Sequence, residues 1–242
     1  MDALAVIRKG RGPEILLVHG DTRPYSTWEA LAPLQARWTL ALVHRRGYPP
    51  SPRPVNGRED FAVDAADLAS LLHGRPHLVA HSYGALGALL AAARRPARVR
   101  SLTLIEPPLY GLLLRDDPEV ARLERVSDTG EGRPPGKACC ALGPLREAGV
   151  PTLVASGGHA VGVERICDAL AAALRGERLV APGAGCFVAA APGFAESLER
   201  FLASPREPKY RHPGPIDDEQ HGFDGPDRVG GAAPKRQRTR RS

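Results

Sequence analysis

Lysine is nearly absent from this 242-residue chain, occurring only at Lys9, Lys137, Lys209 and Lys235. With 24 prolines and 26 glycines, the excess of arginine reads as the bias of a GC-rich coding sequence and carries no function. Cysteine is also sparse. Cys139, Cys140, Cys167 and Cys186 form no CxxC pair and have no histidines at zinc spacing, which argues against a zinc site or disulfide framework and for a reducing cytoplasm. No apolar run reaches the roughly 18 residues of a membrane span, and the start "MDALAVIRKGRGPEILLVHG" lacks the pattern of a signal peptide. A spread of positive charge is missing too. The net +6 is mostly Lys235, Arg236, Arg238, Arg240 and Arg241 in "KRQRTRRS", so the body is near neutral and nucleic acid is not an expected partner.

What remains suits one globular domain, with 43% hydrophobic residues. Short apolar runs alternate with helical patterns, the mark of parallel βα units and an α/β fold. Strands are expected in "EILLVHG" (14–20), "WTLALVH" (38–44), "PHLVA" (76–80), "VRSLTLIE" (99–106), "VPTLVAS" (150–156) and "ERLVAPG" (177–183). Helices are expected at about 84–95, 161–175 and 192–203, with a short one in "STWEALAPLQA". The stretch "VNGREDFAVDAADLASLLHG" reads as a helix with a capping box at Asn56 and Glu59, burying Phe61, Ala65, Leu68 and Leu72. Asp60, Asp64 and Asp67 then form a solvated face rather than a metal site. Residues 111–148 read mostly as loop, and 204–242 as a disordered basic tail appended to a domain of residues 1–203.

The stretch that carries chemistry is "LVAHSYGALGALLAAARRP" (78–96). A serine hydroxyl needs a base to take its proton and a bend to present it clear of the sheet. A strand–turn–helix bend does the latter, and its tightness demands small residues two before and two after, here Ala80 and Gly84. Ser82 is then a candidate nucleophile. The Tyr83 N–H and the Asp21 N–H, just after "LLVHG", are candidate oxyanion-hole donors.

Together with "ILLVHG…STWEALAPL", "LVHRRGYPPSP", "VPTLVASGGH" and "LVAPGAGCFVAAAPGFAESLERFL", this stretch resembles the α/β-hydrolase superfamily over about residues 4–203. The resemblance implies a mostly parallel, doubly wound sheet, usually of eight strands, with helices on both faces. It places the active site at the carboxyl ends of the strands, under a lid that here is short and reduced (111–148). It implies a hydrolase of small esters or related acyl compounds, with no cofactor and no metal. Dehalogenase and epoxide hydrolase chemistry is disfavoured, because those relatives carry Asp where this chain has Ser82.

Two family positions depart from the pattern. The acid usually follows the seventh strand, where "SGGHA" offers no carboxylate. Some relatives place it after the sixth, where this chain has Glu106, either the acid or an ordinary strand-end carboxylate before Pro107. The histidine usually sits in a late "GxGH", and here Cys186 occupies its place. A thiol has no second nitrogen to relay between serine and carboxylate. Among the other histidines, His81 is expected to point away from the pocket, His44 to be structural, and His73 and His77 to lie at the far end of the sheet. His159 borders the site and is the one candidate surrogate base. The alternatives are an impaired serine hydrolase and an inactive scaffold that binds a ligand or partner.

Overall fold

The computed structural model describes residues 3–113, 117–127 and 133–204. All six expected strands form, most of them shorter than the apolar run suggested: β2 (Glu14–Val18), β3 (Thr39–Val43), β4 (His77–His81), β5 (Ser101–Ile105), β6 (Thr152–Ser156) and β7 (Glu177–Val180). A strand not anticipated from sequence, β1 (Val6–Gly10), pairs antiparallel with β3 through Val6 opposite Val43. Its exposed Arg8 and Lys9 suit an edge, where charged side chains deter pairing with another chain. The sheet runs β1-β3-β2-β4-β5-β6-β7, parallel apart from β1. It has seven strands among the described residues, against the eight usual in the family.

Successive strand residues point to opposite faces, and both faces are covered. Leu16, Val18, Leu78, Ala80, Leu102 and Leu104 pack on one side with α2 (Phe61–Leu71), α3 (Tyr83–Arg94), α5 (Leu142–Ala148) and α6 (Val161–Leu174). Ile15, Leu17, Val79 and Ile105 pack on the other with α1 (Pro24–Trp28), a 3-10 segment (Glu29–Ala36) and α7 (Phe194–Ala203). The doubly wound α/β architecture expected from the sequence is therefore observed. Residues from 205 onward, which include the expected disordered tail, lie outside the described residues.

Three expectations are corrected. The segment 111–148 is more helical than its composition suggested, holding α4 (Pro118–Ser127), a 3-10 turn (Pro135–Ala141) and α5. The polar stretch at α4 becomes helix because Asp117 accepts hydrogen bonds from the Glu119 and Val120 amides, an N-cap the sequence reading passed over. Next, α2 starts at Phe61, capped by Asp60, whose carboxylate accepts from the Ala62 N–H at 2.8 Å, so Asn56 and Glu59 form no capping box.

The third correction concerns the aspartate face, because Asp64 and Asp67 are buried. The two arginines that follow β3 fold over them: Arg45 Nε lies 2.9 Å from Asp64 Oδ2, and Arg46 Nε 2.6 Å from Asp67 Oδ2. Burial pushes the Asp64 carboxyl up, and Arg45 pulls it back. Removing Asp64 leaves the buried Arg45 guanidinium with one carboxylate, Glu59, in place of two. Asp64→Ala is expected to lower the unfolding free energy by about 3–5 kcal/mol, and loss of the Asp60 cap in Asp60→Ala by about 1 kcal/mol. Urea unfolding of both variants is the check, and equal losses would contradict this reading of the pair.

Candidate active site

Ser82 joins β4 to α3 with φ 50° and ψ −131°. Positive φ in a residue with a β-carbon costs about 1–3 kcal/mol and persists only where neighbours enforce it. The Ser82 N–H donates to the Ile105 carbonyl at 2.8 Å, and the Ser82 carbonyl accepts from the Ala85 N–H at 2.9 Å. The surroundings leave no slack. A β-carbon at Gly84 would stand 2.1 Å from the His19 carbonyl oxygen, and one at Gly20 would stand 2.7 Å from Ser82 Cβ. The requirement for small residues around this bend is thus met by contact between two loops.

Tyr83 is the first residue of α3, so its N–H has no acceptor within the helix. The Gly20–Asp21 peptide is oriented by groups on its far side. The Gly20 carbonyl accepts from Arg45 Nη1 and from His19 Nδ1, each at 2.9 Å. His19 Nε2 accepts from the Arg45 N–H at 3.1 Å, which makes the ring the neutral Nδ1–H tautomer. Peptide planarity then turns the Asp21 N–H away from Arg45, and Tyr48 Oη holds the Asp21 carbonyl at 3.2 Å. Sequence reasoning missed Arg45 and Tyr48. The signal was there in "HRRGY", beside two aspartates one helical turn apart.

Glu106 follows β5, also at positive φ (46°). Its side chain is 7% exposed, and Oε1 accepts from the Gly157 N–H at 2.8 Å and faces His159 Nδ1 at 3.3 Å. Burial raises its pKa, opposed by the Gly157 hydrogen bond and by His159. Glu106 thus ties down the loop after β6 and stands next to the histidine that loop carries.

Cys186 is exposed in the loop after β7, and its carbonyl accepts from His81 Nε2 at 3.0 Å. That loop touches the loop of His159, since a β-carbon at Gly157 would stand 1.9 Å from the Gly185 oxygen. His81 lines a cavity of about 270 Å³ with Thr22, Thr27, Ala30, Cys186 and Phe187, and Ser82, Glu106 and His159 are not among its lining residues. Burial lowers the His81 pKa. His44 is structural as expected, its Nδ1 bonded to the Pro49 carbonyl. His77 bonds Ser101 at the amino ends of β4 and β5, far from the bend. Among the described residues no three His, Cys, Asp or Glu side chains are grouped to hold a metal ion, and no helix is long and apolar enough to cross a membrane.

The bend, the glycine-walled loop beside it and the carboxylate–histidine pair stand at the carboxyl ends of β2, β4, β5 and β6. A model of the α/β hydrolase fold matches residues 13–130. The chain is 40% identical over 107 residues to the 2-(acetamidomethylene)succinate hydrolase of Mesorhizobium japonicum, covering 43% of this chain and 38% of that protein. It is 30% identical over 119 residues to the pimeloyl-acyl-carrier-protein methyl ester esterase of Aeromonas hydrophila, covering 48% and 45%. A carboxylesterase structure from Nitrososphaera gargenis superposes with TM-score 0.63 at 17% identity, covering 83% of this chain and 94% of that one. The chain has the α/β-hydrolase fold. The matched stretch spans less than half the length of these two curated relatives.

Burial also sets an acid response. His19 is held down to about 3 and His77 to about 4, in both cases first by desolvation. Below the ordinary histidine pKa of about 6.5, the unfolded chain takes up protons that the folded rings refuse. Stability therefore falls as pH drops from 6.5 towards 4, by up to about 1.4 kcal/mol per pH unit for each ring. Denaturant unfolding between pH 4.5 and 7 is expected to show a shallower dependence in His77→Gln, by about one ring's share. An unchanged slope would contradict the neutral buried ring.

Proposed function

We propose that the chain is a serine hydrolase of a small ester or related acyl substrate, with Ser82 as nucleophile at a nucleophile elbow. Glu106 and His159 act as its acid–base pair, and the Tyr83 and Asp21 N–H groups form the oxyanion hole. The observation that carries this reading is the 3.3 Å approach of His159 Nδ1 to Glu106 Oε1. The loop concerned is packed through Gly157 against Gly185, one residue from Cys186. With Nδ1 turned to the carboxylate, Nε2 is the nitrogen left for proton transfer.

In this mechanism Ser82 Oγ adds to the substrate carbonyl as its proton passes to His159 Nε2. The two amides take the developing oxyanion, and the imidazolium returns the proton to the departing alcohol. Water then cleaves the acyl-enzyme by the same route. A cavity of about 270 Å³ beside the elbow suits a compact acyl or alcohol group. Catalysis is impaired relative to an enzyme with histidine in the late loop, because His159 is 36% exposed and approaches from a different strand. Four unpaired cysteines support a reducing cytoplasm as its location.

One observation favours a second reading, a scaffold that binds without turnover: Cys186 supplies no base in the loop that should carry one. Aryl-ester turnover by purified variants separates the two. Ser82→Ala is expected to abolish turnover and His159→Ala to reduce it by about 100-fold. Cys186→His is expected to raise it by two or more orders of magnitude, roughly the worth of a restored triad member. A folded protein with no turnover and no gain from Cys186→His would establish the binding scaffold instead.

A further inference from the structure

We infer that Glu164 is a positioning residue that holds the Gly157–His159 loop in the shape that brings His159 to Glu106. The inference rests on the reading of His159 as the base. The two consecutive amides of this loop are bound by two different carboxylates: Gly157 N–H donates to Glu106 Oε1 at 2.8 Å, and Gly158 N–H to Glu164 Oε1 at 3.0 Å. Glu106 comes from the end of β5 and Glu164 from the first turn of α6, so the loop is held from two sides.

Glu164 is in turn fixed by its other oxygen. Oε2 accepts from Ser156 Oγ at 2.6 Å and from Arg178 Nη2 at 2.5 Å, and the same Nη2 reaches Ser156 Oγ at 2.7 Å. Arg178 stands on β7, and its Nε bonds Asp168 on α6 at 2.8 Å. Glu164 and Arg178 are largely covered, with side chains 24% and 19% exposed, whereas Asp168 is 66% exposed. A covered carboxylate that spends one oxygen on a loop amide and the other on a serine and an arginine is a rigid strut. Gly158 and His159 are exposed, so beyond the Gly157–Gly185 contact the loop depends on its two amide bonds for its shape, and the strut supplies one of them. Asp168 steadies only the outer side of Arg178, where exposed pairs contribute little.

The test compares Glu164→Ala, Glu164→Asp, Glu164→Gln and Asp168→Asn by ester kinetics and by the ¹⁵N resonance of His159 Nδ1. Glu164→Ala is expected to lower kcat by about tenfold or more with KM within about twofold, as misplacement of a base does. Glu164→Asp keeps the charge but withdraws the oxygen from Gly158, and should show the same loss with an unchanged melting temperature. Glu164→Gln keeps an oxygen for Gly158 but turns an NH2 towards Arg178 and Ser156, so its loss should fall between the parent and Glu164→Ala, and Asp168→Asn should match the parent. The Nδ1 resonance should shift away from the parent's in the Ala and Asp variants but not in Asp168→Asn. That readout holds even if the parent turns over no ester, so failure of the hydrolase reading is distinguishable from failure of this one. An unchanged Nδ1 resonance in Glu164→Asp, or a kcat in Glu164→Ala equal to the parent's, would overturn it.

Discussion

Everything at this site depends on one backbone residue forced into a conformation it does not favour. Ser82 sits at φ 50° because β4 and α3 cannot be joined in less space, and the fold holds it there from three directions. β5 binds its amide, Gly84 lies against the His19 carbonyl, and Gly20 lies against its own β-carbon. The strain, about 1–3 kcal/mol, is offset by the burial of β2, β4 and β5 on both faces. The result is a hydroxyl at the strand tips beside the first amide of a 12-residue helix.

A second constraint is the buried charge network behind that bend. Arg45 bonds Asp64 and Glu59 with two arms of its guanidinium and the Gly20 carbonyl with a third. It couples helix α2, the loop after β3 and the loop after β2 into one unit. Replacing Arg45 by lysine would keep the charge but lose the fork that reaches three acceptors at once. The Gly20–Asp21 loop is therefore set by a buried ion network.

The strands and the bend at Ser82 were legible because their signals are local. Short apolar runs bounded by turn residues mark buried strands, and small residues flanking Ser82 are required by the bend itself. β1 was not legible, since an antiparallel edge strand carrying Arg8 and Lys9 lacks an apolar signature. Asp64 and Asp67 misled for a different reason. Helical periodicity groups them on one face but does not reveal that Arg45 and Arg46, from another loop, cover it. His159 was legible as a candidate through its position after β6. Its approach to Glu106, and the seating of its loop on Gly185, depend on contacts between segments far apart in sequence.

The loop after β7 is anchored by backbone contacts, since Gly185 packs on Gly157 and the Cys186 carbonyl accepts from His81 Nε2. The central claim is that Ser82 is activated from the side of β6, by His159 held on Glu106. The most direct measurement is the rate at which a fluorophosphonate modifies Ser82, read by peptide mass spectrometry in the parent and in His159→Gln. The account predicts modification at Ser82, slowed about 100-fold by the substitution. Equal rates in the two proteins, or modification at another residue, would contradict it.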